Sequence, residues 1–249
     1  MRSMAFFSGM IMVLACSEPA SKPGAALGGQ PVHAVPVPLE HGPEKVPALK
    51  PPAPYTPLER RLAAAGLTEV TPGPGLQINL VYATDGNFTG RVIYKELHRC
   101  FLRPEAAQKL LAAAAALSVK HPEWVLRVVD CARPLSVQRI LWAAHPNPAH
   151  VANPETGTSS HNHGCAVDLT LATGKGALEM GTEIDEFSAG KRLTVKEEER
   201  LCRTGGLSAA ACNNRRLLRT VMTGAGFVPY EGEWWHFNGC DRDRFDLIP

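Results

Sequence analysis

Ser159-Ser160-His161-Asn162-His163-Gly164-Cys165-Ala166-Val167-Asp168-Leu169-Thr170-Leu171 is the stretch on which the reading of this chain turns. Its second half, 166–171, alternates as a β-strand does. An aspartate in the middle of an apolar strand is costly unless something compensates its charge, and a metal ion is the economical compensation. His161 stands seven residues earlier, across a glycine-containing turn, and can reach the same ion. Taken alone, a histidine near an aspartate is more often an ordinary hydrogen-bonded pair, so this segment leaves both readings open.

A second segment complements it: Glu231-Gly232-Glu233-Trp234-Trp235-His236-Phe237. Read as a last core strand over 234–238, it places Glu233 and Trp235 on one face and Trp234 and His236 on the other. A bulge or a strand end is then needed to bring Glu233 and His236 to one ion. Two histidines and a carboxylate leave a fourth position open on zinc, which is the ligand set of a hydrolytic site. Such a site needs a base for its water, and Glu233 is of the right type. Asp130-Cys131-Ala132-Arg133-Pro134 closes a strand and offers Arg133 as a cation for a developing oxyanion. A structural ion pair is the alternative for that arginine.

Outward from these motifs, 77–82 and 125–130 read as strands, and Pro104 opens a helix running through an alanine-rich stretch. Further helices are expected over 135–144 and over 213–223, the last ending at Gly224 or Gly226. Helices and strands mix without a regular βαβ rhythm, which predicts an α+β fold in a single domain over 58–249. Hydrophobic residues make up 45% and charged residues 20%, sufficient for a real core. A net charge of +2 with no basic run is too small to argue for a nucleic-acid partner, so none is expected, and no protein partner can be inferred.

The N-terminal region reads differently. Residues 17–57, rich in Pro, Gly and Ala, are expected to form a tether. Before them, Arg2 and the apolar run 4–15 fit a signal peptide over 1–16 that is too short to span a bilayer. Ala15-Cys16 resembles a bacterial lipobox, which implies a lipid on Cys16, and Ser17 after it favours the outer membrane. The expected location is therefore the bacterial cell envelope, periplasmic and lipid-anchored, with that anchor as the only membrane contact. The six other cysteines, Cys100, Cys131, Cys165, Cys202, Cys212 and Cys240, suit disulfides in an oxidising compartment. Cys202 and Cys212 bracket a short Gly/Ser/Ala segment and are the favoured pair.

The pattern S-x-H-x-x-G-x-A-x-D over 159–168, with E-W-W-H over 233–236, resembles the D-alanyl-D-alanine dipeptidases of the VanX type. These are zinc D,D-peptidases that share a fold with the Hedgehog signalling domain. Further similar blocks are Tyr82-Ala83-Thr84 with Asn87-Phe88-Thr89-Gly90, Asp130 with Arg133-Pro134, Met180-Gly181 with Asp185, and Cys212 to Leu217. Cys131 and Ala132 stand where a Gly-Tyr pair is common in the family. The resemblance implies a central, mostly antiparallel sheet flanked by helices and one zinc ion per chain held by His161, Asp168 and His236. It implies Glu233 as base, Arg133 at the transition state, Asp185 on the substrate's ammonium group, and Ser159 and Tyr82 lining the pocket. The implied substrate is a small D-amino-acid dipeptide, cleaved in peptidoglycan metabolism. A D,D-carboxypeptidase acting on stem peptides would share every metal residue. A non-catalytic, zinc-containing cell-wall-binding lipoprotein is the reading from a different class.

Other residues receive plainer readings. His163 is expected at the pocket rim or on the surface, and His98, His121, His145 and His150 are expected to be solvated. The run 196–200 reads as a charged helix face, and Trp124 and Trp142 read as core.

Overall fold

A computed structural model describes residues 53–186 and 194–248. The expected signal peptide, lipidated Cys16 and nearly all of the expected tether lie outside the described residues. Among the described residues, contacts with the domain include the Ala53 carbonyl, which accepts from Arg99 Nη2, and Tyr55, whose hydroxyl donates to Glu69 at 2.6 Å and whose ring meets Phe101 edge-on at 5.6 Å. Thr56 forms a capping box with Glu59 and opens α1 (Pro57–Ala64).

A small antiparallel pair, β1 (Thr68–Val70) and β3 (Cys100–Leu102), stands apart from the main sheet. In the main sheet, β2 (Leu76–Ile78) lies parallel to β4 (Trp124–Asp130). Next comes β5 (Ala166–Thr173), then β8 (His236–Asn238), then β7 (Val228–Pro229), all antiparallel, with the short β6 (Gly176–Ala177) paired to β5. The expected α+β fold with a mostly antiparallel sheet is what forms.

Helix α2 (Pro104–Lys120) buries Ala106, Leu110, Ala113 and Leu117 with Ala107 and Ala114, the i, i+3/i+4 stripe of an amphipathic helix. It packs on β4 and on α5 (Ala209–Gly224), and α5 also meets β5. Helix α3 (Leu135–Ala144) follows the strand that carries Asp130, and α4 (Val195–Thr204) leans on α5.

Several local expectations are corrected. The strand expected over 77–82 stops at Ile78, and Tyr82 sits in a 3-10 turn, Val81–Ala83. Its carbonyl oxygen is used by the N–H groups of Ile93 and Tyr94 at 2.9 and 2.7 Å, so a loop takes the place of a ladder. Helix α5 starts at Ala209 rather than 213, since the Ser208 side chain accepts from Ala211 N. The charged run is more than a solvated face: Glu198 is buried and pairs with both Arg215 and Arg219. Trp124 and Trp142 are partly buried against the core.

Three disulfides join Cys100 to Cys131, Cys165 to Cys240, and Cys202 to Cys212, the last being the favoured pair. Cys165 and Cys240 flank the paired strands β5 and β8, and Cys131 lies between Asp130 and Arg133. Two of the three crosslinks therefore brace the segments that carry the site.

Candidate active site

Register builds the site. Asp168 on β5 lies directly opposite His236 on β8, and opposite residues on neighbouring strands share a face. On the other side, regular pairing of β4 with β5 would set Val129 against Asp168. A β-bulge between Val128 and Asp130 adds one residue, so Asp130 takes that place instead. Asp130, Asp168 and His236 thus form a row across three strands. His161 joins them from a 3-10 turn, Ser160–His163, that enters β5.

That turn is fixed from both ends. The Ser159 side chain accepts from His161 N, and the Asn162 side chain accepts from Ser159 N at 2.9 Å. Gly164 ends the turn at φ +74°, where an added Cβ would come within 2.9 Å of Leu67 Cδ2. Arg133 N donates to the His161 carbonyl at 3.0 Å, and Asn162 Nδ2 donates to the Arg133 carbonyl at 2.8 Å. The arginine loop and the histidine turn are therefore one unit.

His161, Asp168 and His236 are all buried, and one ligand atom from each lies within 4.8 Å of the others. His161 Nδ1 faces the Cys131 carbonyl at 2.7 Å, so it carries the proton and Nε2 turns a lone pair inward. His236 Nε2 faces Asn238 Oδ1 at 3.2 Å, which leaves its Nδ1 facing inward in the same way. The inward atoms approach closely: His161 Nε2 to His236 Nδ1 is 3.1 Å, and Asp168 lies 3.2 and 3.0 Å from the two rings. Two lone pairs and a carboxylate repel one another unless a cation sits among them. These separations are close to the edge of about 3.3 Å expected for ligands about 2.0–2.1 Å from a tetrahedral zinc. The residues fit a metal ion.

Electrostatics agree. Burial works against a charged Asp168, yet the facing His161 and His236 hold it far below the ordinary carboxylate range. Burial would lower His236, and Asp168 more than reverses this, raising it above the usual imidazole value. The centre favours positive charge beside Asp168.

Glu233 lies outside the last strand. The strand expected over 234–238 begins only at His236, and a turn precedes it in which His236 N donates to the Glu233 carbonyl at 3.2 Å. The turn removes the alternation that would have separated the two side chains. Glu233 Oε2 lies 3.9 Å from His236 Nδ1.

Arg133 is held by Asp130, its Nε donating to Oδ2 at 2.8 Å and its Nη2 bonding the same oxygen. Nη1 donates to Gln138 Oε1 at 3.0 Å, and Nη2 also lies 3.5 Å from Asp168 Oδ2. Burial alone would lower the Arg133 pKa, but Asp130 more than reverses this and keeps the cation firmly charged. Arg133 is thus ion-paired with Asp130 while its guanidinium also approaches Asp168. The Tyr82 ring lies under the guanidinium at 5.3 Å, and the Tyr82 hydroxyl donates to Asp185 Oδ2 at 2.6 Å. Asp185 adopts φ +55°, the only non-glycine left-handed residue described. Burial first, and then the nearby Asp168 charge, push its carboxyl up to about 7.

All eight sequence-predicted residues, Tyr82, Arg133, Ser159, His161, Asp168, Asp185, Glu233 and His236, line one cavity of about 430 Å³. Ser159 does so while its side chain also caps the turn. Tyr230 and Arg242 line it as well and were not singled out in the sequence, and His150, expected to be solvated, lines it too. Tyr230 sets its ring 5.3 Å from His236. Nothing in their local sequence marks them, because their loops are aimed only by tertiary packing. His145 and His150, expected to be solvated, face each other at 2.9 Å with stacked rings. His121 stacks on Trp124 at 4.6 Å, whereas His98 is exposed as expected. His163 is neither at the metal cluster nor on the open surface: it bonds the Phe245 carbonyl at 2.7 Å and Thr158 at 3.0 Å, tying down the C-terminal segment.

The model of the M15 peptidase family, described as D-ala-D-ala dipeptidase, matches residues 63–247. A D-alanyl-D-alanine dipeptidase of Escherichia coli is 37% identical over 177 residues, covering 70% of this chain and 84% of that protein. Similar proteins of the same description are found in Enterococcus faecalis, 31% identical over 68% of this chain and 88% of that one, and in Enterococcus faecium, 29% identical over 66% and 85%.

Proposed function

This chain belongs to the M15 peptidase family of D-Ala-D-Ala dipeptidases, and from that premise we propose that it hydrolyses free D-alanyl-D-alanine to two D-alanines with one zinc ion. His161, Asp168 and His236 would hold the ion. Its chemistry when bound is Lewis-acid polarisation of the peptide carbonyl and activation of water.

The chain's own groups divide the remaining work. Glu233 takes a proton from the attacking water as the new C–O bond forms, then passes it to the leaving amine as the C–N bond breaks. Arg133, kept charged and aimed by Asp130, faces the negative charge that develops on the carbonyl oxygen. Asp185 receives the substrate's ammonium group, and the Tyr82 hydroxyl fixes that carboxylate.

One observation carries the preference for a dipeptidase: a half-buried carboxylate, Asp185, in the same cavity as Glu233 and the metal-ligand cluster. A half-buried anion there suits a free amino terminus and disfavours a longer chain in which that nitrogen is an uncharged amide. The test uses the zinc-loaded protein with D-Ala-D-Ala and its N-acetyl derivative. Cleavage of the free dipeptide alone is expected, whereas equal cleavage of the blocked substrate would move the assignment to a D,D-carboxypeptidase.

We also place the enzyme in the cell envelope, anchored through Cys16 and serving peptidoglycan metabolism. The apolar run before Cys16 supports this, as do the three disulfides, which suit an oxidising compartment. Mass spectrometry of the mature N-terminus is expected to find a lipid on Cys16, and an unmodified thiol there would refute the anchor.

A further inference from the structure

Arg215 is among the most deeply buried side chains of the described residues, and its position has no counterpart in the chemistry above. Its Nε donates to the Met180 carbonyl at 2.6 Å, Nη1 to Glu198 at 3.3 Å and Nη2 to Thr182 Oγ1 at 3.2 Å. Thr182 Oγ1 also accepts from Trp234 Nε1 at 2.8 Å, and the guanidinium lies 5.4 Å from the Trp234 ring. Thr182 stands three residues before Asp185, and Trp234 directly follows Glu233. One hydroxyl therefore joins the segment carrying the ammonium-binding group to the segment carrying the base.

The need for such a tie is visible in the backbone. Asp185 holds φ +55°, and Gly181 holds φ +83° where a Cβ would meet Leu207 Cδ2 at 2.7 Å. A segment with two left-handed residues does not keep its course by local preference, so contacts from elsewhere must hold it. Tyr82 bonds the Asp185 carboxylate directly, and the fork of Arg215 with the Thr182–Trp234 bond holds the residues that lead up to it. Glu198, with Arg219 as a second partner, sets the fork from behind.

We propose that Arg215 and Thr182 are positioning residues that fix the spacing between Asp185 and Glu233, and through it the placement of a free-amine dipeptide beside the base. The proposal rests on the dipeptidase reading. It assigns to helix α5, away from the metal, a part in selecting substrates by the position of their amino terminus.

Thr182 permits a clean test because valine keeps its shape and serine keeps its hydroxyl. In the zinc-loaded protein, T182V leaves the Trp234 and Arg215 donors without their shared acceptor. We expect kcat/KM for D-Ala-D-Ala to fall about tenfold or more, chiefly through KM, with metal content like the parent's and Tm lower by about 2–6 °C for the unmet donors. T182S is expected to stay within about twofold of the parent, because serine restores the acceptor. The Trp234 indole N–H resonance, assigned with W234F, is expected to move in T182V and to hold in T182S. Parent-like kcat/KM in T182V, or equal losses in both variants that follow Tm, would overturn the proposal and leave Thr182 a packing residue. If the parent itself does not cleave D-Ala-D-Ala, the dipeptidase reading fails on its own. The indole resonance still judges the clamp, and an unmoved signal in T182V overturns it.

Discussion

Replacing Asp130 by asparagine keeps the volume and removes one charge, which makes it a sharp probe of how the site is held. The Asp130 carboxylate is 1% exposed and accepts from four directions. Tyr94 OH reaches it at 2.6 Å, Cys131 N at 2.9 Å, and the Nε and Nη2 of Arg133 complete the set. An asparagine offers one oxygen and one NH₂, so one set of these donors must then face another donor. Removing one partner of a buried ion pair costs about 3–5 kcal/mol. Arg133 keeps Gln138 and its approach to Asp168, and it borders an open cavity, so the lower end of about 3 kcal/mol is expected here. For a domain of this size that corresponds to a fall in Tm of about 6–12 °C. Calorimetry with the disulfides intact is the suitable assay, since the folded and unfolded states then share their crosslinks. On the same samples kcat should fall about 10- to 100-fold, because an arginine without its anchor loses its aim at the oxyanion. A Tm within about 2 °C of the parent together with unchanged kcat would refute the reasoning, and with it the role assigned to the bulge that brings Asp130 into the row.

Further outcomes follow from the same geometry. Asp185 must be ionised to receive an ammonium group, and burial raises its carboxyl to about 7. Its charge is therefore lost as pH falls through its pKa, so the kcat/KM profile of the zinc-loaded enzyme for D-Ala-D-Ala should carry an acid limb below about 7. A metal beside Asp168 moves this limb lower, and D185N should abolish it; a limb that survives in D185N would refute the assignment. E233Q should retain one zinc per chain by elemental analysis while losing at least about 100-fold in kcat, the lower range for a general base. Near-normal turnover there would remove Glu233 from the mechanism. Replacing Cys165 and Cys240 together by serine opens a crosslink with a sequence separation of 75. The chain-entropy model gives a loss of about 4 kcal/mol, readable as a lower denaturant midpoint, and an unchanged midpoint would contradict it.

The motifs lay open to reading because each combines an unusual residue with an unfavourable place. Asp168 stands in a strand that is buried almost throughout, and two tryptophans sit beside a glutamate and a histidine. The strands and helices around them were legible from apolar periodicity, as with α2 and β4. Where local pattern and long-range bonding competed, long-range bonding won. Tyr82 left its expected strand because its carbonyl serves Ile93 and Tyr94, and Glu198 left its expected solvated face because two arginines from α5 claim it.

What the amino-acid sequence supplied by itself was the set of groups: two histidines and an aspartate of metal-ligand type, a glutamate, an arginine, and a second aspartate for which the family resemblance implies an amine. Side-chain chemistry depends on residue type, which is written in the chain. Only the tertiary structure decided how they meet. The bulge in β4 places Asp130 rather than Val129 beside Asp168, and the turn at 233–236 brings Glu233 within 3.9 Å of His236. Arg215 reaches across from another element to hold the segment that carries Asp185. Register, turns and crossings between distant segments come from the packing of the whole domain, and no local window of sequence contains the partners that set them.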